Sequence, residues 1–391
     1  MTKPVKISAM LFFILIISTL SGCVQQTNNE KQNEHPYTPQ QPALETLDNY
    51  DWDRGLPSWD VLNNTASNFT RITGIVFMKS AVPTGLFVDD PSMPINESLI
   101  EENLAVKDRL HANVYEVRLS FIYKDGGFYP PGPENVKTNV FLRSIMTDGV
   151  LAKKTGLAVH LTAGFFPENG FKNLDELYNA LDKWEGIINK TAAFAEQYKF
   201  EYFNPFGELD HVIRMDSNLD LPENTIVEIF NTYHPRYAKI VRNLFNGKIV
   251  TQLGDVYPAL KNSILSYNLS NVDLIGMLTG SKLSEFNENL YRIDMMENIG
   301  IMRELCEKYN KSWYISEAWF WDEKPVTQEK LMQQVTCFET LFDLINSTNK
   351  TLNRGPFGLF IMNWNLDEED IFADIIDRPA ETVVAKFFNH Q

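Results

Sequence analysis

The chain has 391 residues, of which 44% are apolar, 22% charged and 12% aromatic. This composition supports one large core or two ordinary ones, and it excludes a disordered protein. A formal charge of −16, from 51 acids against 35 bases, makes nucleic acid and anionic lipid headgroups poor partners. Neutral ligands fit better, and 7 Trp, 15 Tyr and 26 Phe supply flat faces that suit the apolar sides of sugar rings.

The cysteines and histidines are few. Three cysteines exclude a disulfide scaffold, and neither they nor the six histidines have the spacing of a zinc site. The sequence therefore predicts no metal and no cofactor. Cys306 and Cys337 lie among apolar residues of two neighbouring predicted helices, so we expect buried thiols or one disulfide bridge and no nucleophilic role.

The N-terminus has the layout of a secretion signal. Two lysines precede the apolar run Ala9–Ile17, which is shorter than a typical membrane-spanning helix. The following Leu-Ser-Gly-Cys, ending at Cys23, resembles the lipobox of prokaryotic lipoproteins, in which the cysteine becomes the lipidated first residue. Residues 1–22 are thus predicted to be a lipoprotein signal peptide. An ordinary signal peptide or a short anchor helix is the alternative.

Residues 23–47 are rich in Gln, Asn and Pro and predict a flexible polar tether, because they cannot bury enough surface to offset their ordering entropy. Residues 48–391 are then one extracytoplasmic domain, anchored by lipid to the outer face of the cell membrane. We expect a monomer. Eight Asn-x-Ser/Thr triplets give weak support to a glycosylated exterior protein; they begin at Asn63, Asn68, Asn96, Asn189, Asn268, Asn310, Asn346 and Asn349.

Eight short apolar segments recur along this body. Their hydrophobicity is continuous rather than alternating, which is typical of strands buried on both faces of a parallel sheet. They are Thr73–Lys79, Asn113–Tyr123, Gly156–Phe166, Phe200–Asn204, Lys248–Asp255, Val272–Thr279, Ser312–Trp319 and Phe357–Asn365.

Amphipathic segments of helical period separate the predicted strands, and only the crossover near Tyr257–Leu265 is short. The others are Asn96–His111, Lys137–Lys154, Asn173–Tyr198, Glu223–Phe245, Glu285–Tyr309, Thr327–Ile345 and Glu381–Phe388. Eight strand–helix units of roughly 40 residues predict an α/β fold, the (β/α)₈ TIM barrel, as a single catalytic-type domain. A doubly wound open sheet is the rival, but its glycine-rich phosphate loop is missing after the first strand. Residues 48–70 are expected to cover the N-terminal end or rim.

Two glutamates lie where a barrel gathers its reactive groups, at the C-terminal ends of strands. Glu208 follows the fourth predicted strand in Phe-Asn-Pro-Phe-Gly-Glu, and Glu317 ends the seventh in Trp-Tyr-Ile-Ser-Glu-Ala-Trp. A carboxylate in so apolar a strand costs several kcal/mol unless it is paired or hydrogen-bonded. Both glutamates therefore need partners.

This placement resembles the retaining glycoside hydrolases of clan A, the cellulase- and galactanase-like barrels. The resemblance implies that Glu208 is the acid/base and Glu317 the nucleophile of a double displacement on a neutral oligo- or polysaccharide. Such chemistry needs two carboxyl groups about 5–5.5 Å apart, one protonated and one ionised. Proximity raises the pKa of one of them, which suits it to be the acid.

Two further positions agree with the family. Arg118, in a Val-Arg-Leu run of the second strand, resembles the arginine that hydrogen-bonds the nucleophile. Trp364, in Met-Asn-Trp-Asn after the eighth strand, resembles the tryptophan beneath the sugar. Two positions depart: Gly207 stands where the family has an asparagine before the acid/base, and the sixth strand offers no Tyr or His.

Five more residues are predicted to bind substrate or support the glutamates. His160 lies on the third strand, where several family members have a histidine that faces substrate, and Asn204 precedes Gly207 by three residues. His211 follows Glu208 closely, Asp255 ends the fifth strand, and Trp319 follows Glu317. Packing in the core or rim is the alternative for the histidine and the tryptophans.

Other functions stay open from sequence alone. The barrel could be a carbohydrate-binding lipoprotein without catalysis, which the two departures from the family favour. A solute-binding lipoprotein of an importer would share the lipobox and the acidic body, but it should have two lobes around a hinge. A carboxylate-metal hydrolase on the same barrel is a weaker alternative.

Overall fold

The computed structural model describes residues 69–83, 101, 103–130, 138–352, 355–364 and 371–391. The predicted signal peptide and tether lie outside these residues, as does nearly all of 48–70. Phe69, at the end of that stretch, is partly buried against the core. In the part of the chain that is described, no helix is both long enough and apolar enough to span a bilayer.

Ten strands are described, and eight of them run parallel to one another. The strands are β1 (Met78–Pro83), β2 (Val114–Lys124), β3 (Gly127–Tyr129), β4 (Ala158–Pro167), β5 (Tyr202–Asn204), β6 (Lys248–Leu253), β7 (Leu274–Lys282), β8 (Ser312–Glu323), β9 (Gly358–Trp364) and β10 (Ile371–Phe372). The short strands β3 and β10 pair antiparallel with β2 and β8. The parallel strands follow the order β1-β9-β8-β7-β6-β5-β4-β2.

Asn113, directly before β2, joins the two ends of this order. Its backbone N–H donates to the Lys79 carbonyl at 3.0 Å, and its side-chain oxygen accepts from the Lys79 N–H at 2.8 Å. Its side-chain nitrogen also donates to the Phe77 carbonyl at 2.9 Å. The first strand therefore touches both the second and the last, as a barrel requires and an open doubly wound sheet does not.

A small buried cluster takes residues from every parallel strand, so it can lie only inside the barrel. Its members are Met78, Val82, Val114, Ala158, Tyr202, Val250, Leu274, Tyr314, Phe360 and Met362. A much larger cluster fills the space between the strands and the helices. The continuous hydrophobicity of the predicted strands follows from this, since each strand buries one face in each cluster.

Helices follow the strands as the periodicity predicts. They are α1 (Val106–Leu110), α2 (Thr138–Lys154), α3 (Leu174–Gln197), α4 (Glu223–Leu244), α5 (Lys261–Ser266), α6 (Glu288–Tyr309), α7 (Gln328–Leu352) and α8 (Pro379–His390). Asparagine side chains cap two of them: Asn173 accepts from the Glu176 N–H at 3.0 Å, and Asn287 accepts from the Leu290 N–H at 3.1 Å.

The predicted (β/α)₈ barrel is confirmed. Each of the eight predicted strands overlaps a parallel strand, and the short crossover predicted near Tyr257–Leu265 contains only α5 and a 3₁₀ turn, Pro258–Leu260. The N-terminal part of the predicted helix Asn96–His111 lies largely outside the described residues. Cys306 and Cys337 are both buried and are not joined by a disulfide, so the bridge that the sequence left open does not form.

Candidate active site at the C-terminal end of the barrel

A cleft of about 580 Å³ opens at the C-terminal ends of the strands, and both Glu208 and Glu317 line it. Arg118 of β2 and Gln252 of β6 line the same cleft. Residues that are far apart in the chain meet here because parallel strands all end at one mouth of a barrel. Glu208 and Glu317 therefore lie at the same cleft, as the sequence led us to expect of strand-end residues.

Glu208 is held on a tight turn after β5. Its φ is 58°, a left-handed conformation that costs a non-glycine residue of order 1–3 kcal/mol and is typical of functional sites. The turn is fixed by hydrogen bonds, since the Glu208 N–H donates to the Gln252 carbonyl at 3.1 Å and the Val212 N–H donates to the Glu208 carbonyl at 3.0 Å. The backbone thus aims this side chain at the cleft.

Gly207 brings the end of β5 close to β4. A Cβ on this residue would stand 3.0 Å from Thr162 Cγ2, so the family's asparagine would have to displace the threonine slightly. The side-chain nitrogen of Asn204 lies 3.7 Å from the same point and has no hydrogen-bond partner among the described residues. Asn204 is completely buried, directly behind the position where the family's amide would stand.

Glu317 is completely buried, and its two carboxylate oxygens differ. Oε1 accepts from Arg118 Nη2 at 2.5 Å and from Gln252 Nε2 at 2.7 Å. Oε2 has no partner within the described part of the chain. One oxygen is therefore fixed by two donors while the other keeps its lone pairs unused.

A hydrogen-bonded chain runs from Arg118 into the barrel below the cleft. Arg118 also contacts Glu116 at 3.3 Å, and Glu116 accepts from the Thr162 hydroxyl at 2.9 Å. Thr162 lies 3.2 Å from His160 Nδ1, whose other ring nitrogen lies 3.1 Å from the Tyr314 hydroxyl. His160 is thus buried beneath the site and does not line the cleft.

Burial raises the pKa of both glutamates, but to different degrees. The pKa of Glu208 is raised well above its ordinary value, first by burial and then by the negative charge of Glu317. Burial also raises the pKa of Glu317, against the opposing charge of Arg118. None of the described residues donates a hydrogen bond to the Glu208 carboxylate, so no hydrogen bond offsets the effect of burial on its pKa.

A charged network supports the turn after Glu208. His211 Nδ1 lies 3.0 Å from Asp255 Oδ1, and Arg214 donates to Asp255 Oδ2 at 2.8 Å. Burial disfavours the protonated form of His211 and lowers its pKa. The hydrogen bond to Asp255 and the negative charge of Asp255 together have a larger effect, and they raise the pKa of His211 to about 10. His211 and Glu208 are neighbours, because the His211 ring and Glu208 Oε2 both lie within 3.2 Å of the point that a Cβ on Gly254 would occupy.

Comparison with known proteins bears on the fold. No protein-family model matches the sequence, and no curated protein matches it. Among solved structures, the chain resembles a GH113 β-1,4-mannanase (14% identity, TM-score 0.55), covering 82% of this chain and 100% of the other. The GH113 β-mannanase AaManA of Alicyclobacillus acidocaldarius, solved with ManMIm, gives 16% identity, TM-score 0.56 and coverages of 82% and 98%. A β-glucuronidase of an uncultured Clostridium sp. gives 10% identity and a TM-score of 0.51, and the match covers 81% of this chain and 50% of the other.

The chain shares its barrel fold with these three structures. At these identities the likeness shows the barrel alone, and the activity has to be argued from the site.

The remaining predicted residues fall into two groups. Asp255 and Trp319 line the cleft together with His211. The backbone of Trp364 ends β9, but its side chain lies outside the described residues, as does Cys23. No cluster of three or more His, Cys, Asp or Glu side chains suited to a metal ion occurs among the residues that the structure describes.

Sequence reasoning missed several residues of the site. Gln252, which fixes Glu317, and Arg214, which fixes Asp255, were not predicted. Gln252 had a usable signal, since a polar side chain inside the apolar run Lys-Ile-Val-Thr-Gln-Leu needs a partner for the same reason as Arg118 does. Arg214 lies in the π-helical turn Val212–Asp216, whose geometry no periodicity indicates.

Proposed function

We propose that the protein is a retaining glycoside hydrolase that acts on a neutral oligo- or polysaccharide. The observation that carries this proposal is the asymmetry of Glu317, with one oxygen fixed by Arg118 and Gln252 and the other without a partner. A nucleophile needs this arrangement: it must be ionised, held still, and have one lone pair to spare. The paired glutamate, Glu208, has the raised pKa of a general acid.

The reaction has two balanced steps. In the first, Glu317 Oε2 forms a bond to the anomeric carbon while the bond from that carbon to the leaving oxygen breaks, and Glu208 gives its proton to that oxygen. In the second, water gives a proton to Glu208 and its oxygen displaces the Glu317 carboxylate from the anomeric carbon. Both groups return to their starting state, and the configuration at that carbon is retained.

The cleft favours a neutral substrate. Among the described residues, five carboxyl groups and two cations line it: Glu208, Asp216, Asp255, Asp294 and Glu317, with Arg118 and His211. Both cations already contact protein carboxylates, Arg118 through Glu116 and Glu317 and His211 through Asp255. A sugar acid would meet a negative field with no cation to spare for its carboxylate.

We therefore name β-1,4-linked mannan as the first substrate to test. The two mannanases align over essentially their whole length, whereas the glucuronidase aligns over half of its own. The name of the glucuronidase also implies an anionic sugar, which this cleft would repel.

The test uses three variants and a panel of glycans. Wild-type protein should release reducing ends from a neutral polysaccharide and leave glucuronides intact. Glu317→Gln and Glu208→Gln should each lower kcat by about 10³-fold or more, as for groups that act together on the reacting bond. Added azide should restore turnover of an activated aryl glycoside by Glu208→Ala, and NMR should show the product with the configuration of the substrate. Unchanged turnover in both glutamine variants contradicts the proposal.

The non-catalytic alternative keeps two observations in its favour: Gly207 stands in place of the family's asparagine, and β7 contains no Tyr or His. It predicts binding of oligosaccharides without release of reducing ends, so the same panel decides it. The importer alternative requires two lobes around a hinge, whereas the described residues form one barrel.

We also propose that the protein is a lipoprotein held at the outer face of the cell membrane through Cys23. The support for this proposal is the sequence alone. Metabolic labelling with a radioactive fatty acid tests the proposal. Label should enter the wild-type protein and be absent from Cys23→Ser, which should leave the membrane fraction. Equal labelling of both proteins contradicts this assignment.

A further inference from the structure

The cleft continues past Glu317 along a wall to which helix α6 contributes. Four α6 residues line it, at positions i, i+3, i+4 and i+7: Tyr291, Asp294, Met295 and Asn298. That spacing places them on one stripe of the helix. The helices of a barrel ordinarily cover the outside of the strands, so this stripe adds a wall that the strand ends alone do not supply.

Trp319 of β8 belongs to the same wall. It follows Glu317 by two residues, so both side chains lie on one side of the strand. Gly280 of β7 is its pairing partner, and a Cβ on Gly280 would stand 2.4 Å from Trp319 Cδ2. The indole therefore lies directly against the backbone of β7, a position that any side chain at 280 would prevent.

Three polar side chains on this wall have atoms without a partner in the described part of the chain, whereas the Tyr291 hydroxyl is hydrogen-bonded to Thr279 at 2.9 Å. Asp294 is exposed and has neither an ion pair nor a hydrogen bond among the described residues. Asn298 Oδ1 and Trp319 Nε1 also have no hydrogen-bond partner there. An indole beside a carboxylate and an amide combines an apolar face with hydrogen-bonding groups. A neutral pyranose ring also combines an apolar face with hydrogen-bonding hydroxyl groups, so the two surfaces match.

We propose that Trp319, Asp294 and Asn298 form a second sugar-binding subsite, which holds one neutral pyranose unit of the substrate. This unit is the neighbour of the sugar whose glycosidic bond lies between the two glutamates. This inference rests on the proposed function and deepens it: the enzyme acts on chains, and binding energy from the neighbouring unit contributes to turnover. Substrates of a single sugar do not reach the subsite.

The test compares substrates of different length. β-1,4-manno-oligosaccharides and cello-oligosaccharides from two to six units are set against the corresponding aryl monoglycosides. Asp294→Ala should raise KM for the longest chain about tenfold and change KM for the aryl glycoside by less than about twofold, and Trp319→Ala should raise KM for the longest chain at least as much. Ile293→Ala is the matched control, because this α6 side chain is 56% exposed and does not line the cleft. Asp294→Ala keeps the test decisive if Trp319→Ala folds poorly.

Binding measurements separate this inference from the catalytic proposal. In the Glu208→Gln protein, calorimetry should show affinity that rises with chain length and falls about tenfold when Trp319→Ala or Asp294→Ala is added. That result supports the subsite even if the wild-type protein hydrolyses nothing. Hydrolysis whose KM depends on chain length equally in wild type and both variants overturns the subsite while leaving the catalytic proposal intact. Binding without any length dependence in either series also overturns it.

Discussion

Two buried ion clusters occupy opposite ends of the barrel and use the same chemistry differently. At the N-terminal end, Glu201 accepts a hydrogen bond from Lys153, from the Ile72 N–H at 2.7 Å and from the Val159 N–H at 2.6 Å. Lys153 also donates to the Thr70 carbonyl at 2.9 Å. Both oxygens of this glutamate are occupied, and the cluster ties the segment before β1 to the start of β4.

At the C-terminal end, the Arg118–Glu317 pair is incompletely satisfied, and its arginine side chain is 20% exposed. Arg118 is shared with Glu116, one oxygen of Glu317 has no partner in the described part, and Glu208 adds a further carboxyl group to the same cleft. A buried pair whose hydrogen bonds are all made contributes to a defined structure, whereas one that keeps a group unsatisfied is costly and marks a functional site. The contrast separates the end that holds the barrel together from the end where we propose that the chemistry takes place.

The largest effect should come from the satisfied cluster. Glu201→Gln leaves Lys153 buried without its counter-charge and should lower the free energy of unfolding by about 3–5 kcal/mol, with kcat per folded molecule unchanged. Denaturant titration and active-site titration measure the two quantities. Glu185→Gln, which removes a half-exposed partner of Arg236, is the control and should cost at most about 1 kcal/mol. A large loss of kcat in folded Glu201→Gln would contradict the division between the two ends.

The network beside Glu208 should make stability depend on pH. The folded-state pKa of His211, about 10, lies above the ordinary value of 6.5. The stabilisation is therefore fully present below pH 6.5 and is lost as the pH rises towards 10. His211→Asn should remove a decline on the order of 2 kcal/mol across that window, measured by denaturant unfolding at several pH values. His390→Asn, on the exposed end of α8, should keep the wild-type decline.

Arg118 should set the acidic limb of the pH–rate profile. Its charge opposes the rise in the pKa of Glu317, so Arg118→Met should raise that pKa further and move the acidic limb of kcat/KM up by about one pH unit, or about 1.4 kcal/mol. Arg71→Met, which removes a salt bridge to Glu196 far from the cleft, should leave the profile in place. If the acidic limb lies at the same pH in Arg118→Met as in the wild type, Glu317 is not the group being titrated.

Glu317→Gln should have the smallest effect on stability, although it should lower kcat strongly. Glu317→Gln removes a buried charge that is only partly satisfied, so the free energy of unfolding should change by less than about 1 kcal/mol in either direction. Thermal or denaturant unfolding checks this beside Glu201→Gln. Losses of equal size in the two variants would show that both ends are simply structural.

Much of the barrel was predictable because its signals are local. Continuous apolar runs and helical periods indicate where the strands and helices lie. Glu317 and Arg118 were also predictable, since each is a charged side chain inside an apolar strand. His160 illustrates the limit: its strand was right, but only the three-dimensional packing shows that it contacts Thr162 and Tyr314 below the cleft.

The sequence by itself therefore determined the order of strands and helices and the two glutamates as candidates, because these follow from spacing and from the cost of burying charge. The tertiary structure alone decided which groups face one another: Gln252 on Glu317, Asp255 on His211, and the stripe of α6 beside Trp319. These contacts join residues tens of positions apart. Their geometry depends on barrel closure and on tight approaches at single glycines, and neither is encoded in any local pattern.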